Sequence, residues 1–255
     1  MTGAVEGGFA GTAGFYDRYR LNYPGRLIAR VAGLVGLEPG DAVLDLGCGT
    51  GMLAASFAQG GMAVTAMDPE PQMLAQARLN AQAAGVAMTF LQGGSQDLAC
   101  GMGPFRLAVM GRSFHWMDRA TTLSMLDKIV TGGVALFHDA HPPVEENGWF
   151  KILCDVQARY RRRRRNGGHK RYEPFLFASA FTEIDTLSVT IRRPLTVDDI
   201  VGRAFSMSAA SPPGAAREEF ARTLSAALRD LSPDGKFTEV AELVAVLARR
   251  PNGQK

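Results

Sequence analysis

The fold is decided by the stretch Val43-Leu44-Asp45-Leu46-Gly47-Cys48-Gly49-Thr50-Gly51. Its apolar first half predicts a short buried strand, and its three alternate glycines predict a tight turn that leads into a helix. Glycine permits positive φ and lets a ligand lie directly against the main chain, while the next helix directs its first N–H groups at the same place. The spacing G-x-G-x-G differs from the G-x-G-x-x-G that wraps a dinucleotide pyrophosphate. The stretch therefore predicts a site for a nucleoside that carries no pyrophosphate.

A second acidic residue follows the next predicted strand, residues 62–67. In a doubly wound fold an acid at this position, here Asp68, accepts hydrogen bonds from ribose hydroxyls. The dipeptide Asp68-Pro69 also fits the N-cap of a helix, and one carboxylate can serve both purposes. The sequence therefore predicts that Asp68 binds ribose and caps the following helix.

Three segments resemble the class I S-adenosylmethionine-dependent methyltransferases. They are the glycine turn, the segment Asp68-Pro69-Glu70-Pro71-Gln72-Met73-Leu74, and the loop His115-Trp116-Met117-Asp118 after the fourth predicted strand. The HWxD loop resembles the branch that includes trans-aconitate methyltransferase. The resemblance covers about residues 43–141 and implies S-adenosylmethionine as cofactor, with S-adenosylhomocysteine as its product.

The alternation of strands and helices predicts an α/β fold of the doubly wound, Rossmann-like kind. The resemblance implies a seven-stranded, mainly parallel sheet whose last strand is antiparallel. We predict an N-terminal lid segment at 1–24, a cofactor-binding core at 25–143, a helical substrate-cap insertion at 144–181 and a C-terminal completion of the sheet at 182–255.

The cofactor-binding residues are predicted from the N-terminal segment, from the glycine turn and from the segments that follow later strands. They are Tyr16, Arg20, Asp45, Gly47, Cys48, Gly49, Gly51, Asp68, Pro69, Met73, Ser95, Gln96, Asp97 and Arg112. The resemblance implies that Met73 packs on the adenine and that Asp97 accepts a hydrogen bond from its amine; the alternative for Asp97 is a polar surface turn. The family commonly has an acid where this chain has Gln96.

The N-terminal segment offers an aromatic and cationic cluster ahead of the core. An arginine suits the carboxylate of a bound amino-acid tail because its planar fork matches a carboxylate, so Tyr16 and Arg20 are predicted to act in a lid. The alternative is an N-terminal helix that merely packs over the domain.

The methyl acceptor is expected at the loops after the fourth and fifth strands and at the cap. The candidate proton acceptors are His115, His138 and His141, since an imidazole titrates near neutral pH. For His115 and Trp116 the alternative is that they form one wall of the site. The predicted acceptor-binding residues are Tyr19, Ser113, Phe114, His115, Trp116, His138 and Trp149.

A metal site at the end of the fifth strand, residues 134–137, is the other interpretation of the two histidines and the acid found there. Further ligands at regular spacing are missing, so we expect no metal ion.

The net charge of +3 hides an asymmetry. Residues 159–171 hold eight basic residues and no acidic one, which leaves 20 basic against 25 acidic residues elsewhere. The run is either a solvated loop or a site of attraction for an anionic substrate. Nucleic acid would require basic residues spread over a face, so we do not expect it as a partner.

Composition and cysteine usage place the remaining limits. The three cysteines are widely spaced, which indicates free thiols in a reducing compartment. No secretory signal and no apolar run long enough for a membrane span are recognised, so we expect a cytoplasmic protein without membrane contact, as a monomer or homodimer.

The sequence predicts a methyltransferase that acts on an O or N atom of a small molecule in natural-product biosynthesis. The acceptor is anionic if the basic run serves to attract it. An RNA or nucleotide methyltransferase that uses the basic run is the first alternative. A non-catalytic cofactor-binding protein and a nicotinamide-dependent oxidoreductase are the others.

Overall fold

The computed structural model describes residues 13–160, 172–207 and 215–251. The strands of this part of the chain are β1 (Ala42–Leu46), β2 (Ala63–Asp68), β3 (Thr89–Gln92), β4 (Phe105–Gly111), β5 (Val130–Ala140), β6 (Glu183–Thr196) and β7 (Lys236–Arg249). Its helices are α1 (Ala13–Tyr19), α2 (Gly25–Val35), α3 (Met52–Gln59), α4 (Pro71–Ala84), α5 (Arg119–Ile129), α6 (Gly148–Tyr160), α7 (Glu173–Phe177), α8 (Val197–Phe205) and α9 (Ala215–Leu231).

The seven strands form one sheet in the order β3-β2-β1-β4-β5-β7-β6. The first four neighbouring pairs, from β3 to β5, are parallel. Along β7 and β6, Arg249 bonds to Asp185 while Arg193 bonds to Glu239, so the residue numbers run in opposite directions and these two strands are antiparallel. The predicted fold class, a doubly wound and mainly parallel seven-stranded sheet, is confirmed.

The described chain forms two compact units. Unit 1 takes the described parts of 1–21, 139–166 and 190–242, and unit 2 takes those of 22–138, 167–189 and 243–255. The predicted division of the chain at 24, 143 and 181 stays a prediction.

Unit 2 is built around β1, where the residues 43–46 are fully buried. A strand buried on both faces needs helices as cover, and α3 packs on β1 and β2 while α4 packs on β2 and β3. Leucines and an isoleucine of α5 join a core with the apolar residues of β4 and β5. This packing brings the carboxyl ends of β1, β2 and β4 to one edge of the sheet, because neighbouring parallel strands end on the same side.

Unit 1 has a core of its own. It consists of one face each of α6, α8 and α9, with Trp149, Phe205 and Phe220 among its large side chains. Helix α1 packs on α8, where the ring of Tyr19 lies 2.3 Å from the position that a Cβ at Gly202 would take. Glycine at 202 is therefore required for this helix contact.

Strand β5 differs from its prediction. It continues through His138 and Asp139 to Ala140, three residues beyond the expected end at Phe137. Its neighbour β7 is 14 residues long, and the longer hydrogen-bonded ladder extends the strand into a polar segment that looks like a loop in the sequence. His138 therefore projects from a strand.

Candidate cofactor and acceptor site

The glycine turn is held by main-chain hydrogen bonds to the neighbouring strand. The N–H groups of Gly47 and Cys48 both donate to the carbonyl of Met67, at 2.8 and 3.0 Å. Gly51 then adopts φ of 76° as the N-cap of α3. The predicted strand–turn–helix arrangement is thus present, and we name residues 47–51 the cofactor turn.

Two glycines of the cofactor turn have different roles. Gly47 has φ of 72°, and a Cβ there would lie 2.5 Å from the Cβ of Ser113, so no other residue fits without displacing that loop. Gly49 has φ of 57° and nothing lies within 4 Å of the place of its Cβ. Gly47 is therefore needed for packing, while Gly49 leaves an open surface on which a ligand can lie against the backbone.

Asp45 is a fully buried acid at the end of β1. Neither of its carboxyl oxygens has a hydrogen-bond partner of ordinary geometry among the described residues. Burial, with a smaller contribution from the charge of Asp68, raises the pKa of Asp45 to about 8, although the N–H of Ala54 opposes this shift. Two orphaned carboxyl oxygens in the interior are costly, and donors supplied by a ligand would satisfy them.

Cys48 lies beside these acids in the cofactor turn. Burial, followed by the charges of Asp45 and Asp68, raises the pKa of its thiol well above the usual range. The thiol is therefore neutral and fits a role in packing against a ligand, and it does not fit that of a nucleophile.

Asp68 binds the backbone on both sides. One carboxylate oxygen accepts the N–H of Gly49 at 2.8 Å and the other accepts the N–H of Glu70 at 2.9 Å. The helix α4 begins at Pro71 with Glu70 as its N-cap residue, so the predicted N-cap role of Asp68 is wrong. Burial raises the pKa of Asp68, although these two N–H groups oppose the shift. Each oxygen retains a second lone pair for a ligand hydroxyl.

The other predicted cofactor residues of unit 2 lie on neighbouring elements. Met73 is buried in α4, and Pro69 is exposed just before it. The loop 93–97 contains one 3-10 turn, Ser95–Asp97. A carboxylate oxygen of Asp97 accepts there from the N–H of Gly94 at 2.8 Å and from the side-chain amide of Gln96 at 2.9 Å. Both alternatives for Asp97, adenine contact and polar surface turn, are compatible with this geometry.

The residues of the loop after β4 differ in how far they are exposed to solvent. Ser113 and Phe114 are buried, and the ring of Phe114 packs edge-on against Tyr172 at 5.6 Å. His115 and Trp116 are exposed, with ring centroids 4.9 Å apart. Asp118 caps α5, since its carboxylate accepts the N–H of Thr121 at 3.0 Å. His115 and Trp116 are thus the two rings of this loop that a molecule from solvent can reach.

Arg112 has a backbone conformation that is uncommon for a residue with a side chain. Its φ is 58°, and its guanidinium lies 4.8 Å from the centroid of the Tyr23 ring. Such a conformation costs free energy and occurs often at functional sites.

His138 faces an aromatic residue that the sequence did not reveal. Its imidazole meets the ring of Tyr172 edge-on at 6.1 Å, and the same ring packs on Phe114. Burial raises the pKa of Tyr172, so its phenol is neutral. Tyr172 directly follows the basic run and has no periodic signal of its own, which is why sequence reasoning missed it.

The predicted residues Tyr16, Tyr19, Arg20, His141 and Trp149 belong to unit 1. In α1 the guanidinium of Arg20 lies 5.2 Å from the ring centroid of Tyr16. The role of α1 as a lid stays a prediction.

His141 lies in a charged cluster whose centre is the fully buried Glu239. The carboxylate of Glu239 accepts from His141 at 2.7 Å, from Arg193 at 2.6 Å and from Arg203. Arg203 also binds Asp139 at 3.0 Å. We name these five residues the Glu239 cluster.

The rings around the Glu239 cluster enclose it further. His141 stacks on Phe150 at 4.3 Å and meets Trp149 edge-on at 5.5 Å. Since His141 is held by a carboxylate and its side chain is 3% exposed, the contacts support a structural role for it. Its predicted part in catalysis stays a prediction, as does that of Trp149.

A signal for the Glu239 cluster exists in the sequence. Glu239 is an acid within the apolar run 237–247, and a charge within a buried strand requires a partner. Its partners are distant in the chain. The sequence therefore indicates that Glu239 requires partners, but it does not indicate which residues they are.

Two further findings concern the described residues alone. They include no helix long and apolar enough to cross a membrane, and no group of three or more His, Cys, Asp or Glu that could hold a metal ion. The basic residues 161–165, 170 and 171 lie outside the described residues, so the prediction about the basic run stays a prediction.

The sheet order and the turn between β1 and α3 place the chain among the doubly wound α/β proteins, whose ligands lie at the carboxyl edge of the sheet. Residues 43–131 match the family described as methyltransferase domain. The structure of a candidate type II methyltransferase from Anaeromyxobacter dehalogenans superposes with a TM-score of 0.61 at 20% identity, covering 91% of this chain and 98% of that one. Residues 43–131 are thus similar to a methyltransferase domain, and the likeness to the solved structure shows that the fold is shared.

Curated relatives match over part of their length. The ribosomal protein L11 methyltransferase of Thermus thermophilus is 36% identical over 132 residues, which cover 52% of this chain and 48% of that protein. The ubiquinone biosynthesis O-methyltransferase of Vibrio campbellii is 40% identical over 80 residues, covering 31% of each. The chain spans about half the length of the first relatives it matches.

Asp68→Ala is expected to weaken the binding of S-adenosylhomocysteine about 10- to 100-fold, the value of one or two hydrogen bonds to a charged group. The substitution removes the acceptor of the Gly49 N–H as well as the predicted ribose contact. Titration calorimetry measures the change. Asp41→Ala is the control, since Asp41 also accepts a backbone N–H at 2.9 Å, in an exposed turn before β1. Equal affinity of the two variants would refute the ribose role.

Proposed function

We propose that this protein transfers a methyl group from S-adenosylmethionine to an oxygen or nitrogen atom of a small molecule. The observation that carries the proposal is the open backbone at Gly49, flanked by the buried Asp45 and Asp68. This donor and acceptor set suits a ligand with ribose hydroxyls and a cationic amino group. The G-x-G-x-G spacing of the turn also differs from the G-x-G-x-x-G that wraps a pyrophosphate.

The residues that would hold the cofactor have distinct chemical tasks. Asp68 would accept from ribose hydroxyls, and the two orphaned oxygens of Asp45 would accept from an ammonium group. Met73 and the loop 93–97 would contact the adenine. The cofactor, when bound, supplies a methyl group on a positively charged sulfur.

The chain itself would contribute alignment and proton transfer. Holding two reactants in line converts a bimolecular reaction into an effectively unimolecular one. The imidazole of His115 is exposed next to Trp116 and could take the proton of an attacking hydroxyl or amine. His138, which is half-buried beside Tyr172, is the second candidate for this step.

The small-molecule acceptor is supported by the similarity to the ubiquinone biosynthesis O-methyltransferase. The name of the ribosomal protein L11 methyltransferase points to a protein acceptor instead. An exposed pair of rings suits a small planar molecule, since aromatic rings stack on one another. We therefore favour a small-molecule acceptor over a protein.

The test is transfer of a radiolabelled methyl group to three kinds of acceptor. These are a panel of hydroxylated and amino-containing metabolites, ribosomal protein L11 and total RNA. We expect label in one or more metabolites, with release of S-adenosylhomocysteine, and a loss of signal in Asp68→Ala. Label confined to the protein or to RNA would overturn the small-molecule part of the proposal.

A further inference from the structure

Ser113 connects the loop after β4 to the carboxyl end of β1. Its hydroxyl donates to the carbonyl of Leu46 at 2.7 Å, and Ser113 is 8% exposed. Leu46 is the last residue of β1 and directly precedes the cofactor turn. Because the missing Cβ of Gly47 makes room for the Cβ of Ser113, the two loops are in direct contact at this point.

A second contact supports the first from the other end of the loop. The methyl group of Met117 lies 3.3 Å from the position that a Cβ at Gly47 would take. Gly47 is thus enclosed by residues that lie on either side of the exposed rings of His115 and Trp116 in the chain. The loop 112–117 can therefore shift relative to the cofactor turn only if both of these contacts open.

The strained residue before Ser113 connects the same loop to β5. The N–H of Arg112 donates to the carbonyl of Phe137 at 2.9 Å while its φ is 58°. This reversal of the chain lets residue 112 bond to one neighbouring strand and residue 113 to the other. A strained backbone conformation of this kind persists where the surrounding contacts hold it in place.

Trp116 is connected directly to Ser113. The N–H of Trp116 donates to the carbonyl of Ser113 at 2.9 Å. A continuous path of hydrogen bonds therefore runs from the carbonyl of Leu46, through Ser113, to the backbone of Trp116. The prediction that Ser113 contacts the methyl acceptor directly does not account for any of these interactions.

We propose that Ser113 is a positioning residue, which fixes the loop bearing His115 and Trp116 relative to the cofactor turn. The inference rests on the proposed function, because it assigns the loop to the acceptor side of that site. Its consequence is that occupation of the cofactor turn is transmitted to Trp116 through Ser113. Ser113 acts through these neighbours and does not itself touch the methyl group or the acceptor.

The experiment measures acrylamide quenching of tryptophan fluorescence, with and without S-adenosylhomocysteine. The chain has two tryptophans, Trp116 at 56% exposure and Trp149 at 0%. The quenchable signal therefore reports on Trp116. In the wild-type protein we expect S-adenosylhomocysteine to lower the quenching constant, because the loop becomes more firmly held.

Ser113→Ala removes the hydroxyl alone. Loss of one such hydrogen bond is expected to raise the local opening of the loop about 2- to 10-fold. Quenching of Trp116 should then increase, and S-adenosylhomocysteine should no longer lower it to the wild-type value. Ser113→Cys keeps the shape with a poorer donor and replaces the alanine variant if that variant does not fold.

The matched control is Ser206→Ala. Ser206 is buried directly after α8, distant from Trp116 in the chain, and its hydroxyl donates to the carbonyl of Arg203 at 2.6 Å. We expect it to lower the melting temperature to a similar degree and to leave the quenching of Trp116 unchanged. This separates a positioning role from a general loss of stability.

Each outcome has a definite meaning. If wild-type protein binds S-adenosylhomocysteine in calorimetry and Ser113→Ala is quenched like wild type, the inference is overturned. If the wild-type protein does not bind S-adenosylhomocysteine, the proposed function fails. Increased quenching in cofactor-free Ser113→Ala would then still support the anchoring of the loop.

Discussion

Glu239→Gln is expected to lower the free energy of unfolding by about 3–5 kcal/mol, the cost of leaving buried charges without their partner. The carboxylate of Glu239 accepts from His141, Arg193 and Arg203. A neutral amide cannot compensate the fully buried guanidinium of Arg203. Denaturant unfolding measures the loss.

The control for this variant is Glu146→Gln. Glu146 pairs with Arg192 at the surface, and exposed pairs contribute little because water and salt screen them. We expect near wild-type stability for the control. Equal stability of the two variants would contradict a stabilising role of the Glu239 cluster.

The same cluster predicts a loss of stability in acid. Burial alone would raise the pKa of Glu239, but the His141 hydrogen bond, the Arg203 charge and Arg193 outweigh it and lower the pKa from 4.5 to about 2. The folded carboxylate thus binds its proton less readily than the unfolded one. This contribution, roughly 3 kcal/mol, is complete above about pH 4.5 and is lost as the pH falls toward 2.

The binding of S-adenosylhomocysteine is expected to strengthen with pH between about 6 and 8, up to about tenfold per pH unit. Asp45 is protonated below about pH 8 because burial raises its pKa. A cationic ligand group favours the ionised carboxylate, so binding near neutral pH should release a proton. Calorimetry in buffers of different ionisation enthalpy counts the protons released.

Asp45→Asn should remove most of this dependence on pH. The other titratable groups that influence Asp45 and its neighbour Cys48 are Asp68, Arg78 and the thiol itself, and all three remain in the variant. Asp41→Asn, in the exposed turn before β1, should keep the wild-type dependence. A pH dependence unchanged in Asp45→Asn would show that Asp45 keeps its proton in the complex.

The raised pKa of Asp45 also affects the stability of the cofactor-free protein. Its contribution changes with pH in the opposite direction to that of Glu239. Between its ordinary pKa of 3.8 and about 8, the folded state holds a proton that the unfolded chain has lost. Its contribution to stability therefore decreases as the pH rises through this window. Asp45→Asn should be more stable than wild type at neutral pH in the absence of cofactor.

Local features of the site could be predicted from sequence because their causes are local. The cofactor turn follows from the spacing of Gly47, Gly49 and Gly51, and the position of Asp68 from the end of an apolar run. The acidic ends of successive strands come together because parallel strands end at one edge of the sheet. The insertion of β7 between β5 and β6 has no such local signal.

The remaining features depend on residues far apart in the chain. The burial of His141 follows from Glu239, 98 positions away. The anchoring of Ser113 depends on Leu46, 67 positions away, and on a glycine that the sequence assigns to the ligand. Patterns within a short window cannot contain these pairings, which is why the contacts between Gly47, Leu46 and Ser113 could not be predicted.

The most direct test of the whole account is titration calorimetry of the wild-type protein with three ligands. They are S-adenosylmethionine, S-adenosylhomocysteine and NAD. We predict binding of the first two at one site per chain and no binding of NAD, because the G-x-G-x-G turn lacks the spacing that wraps a dinucleotide pyrophosphate. Binding of NAD, or no binding of either sulfur-containing nucleoside, would contradict it.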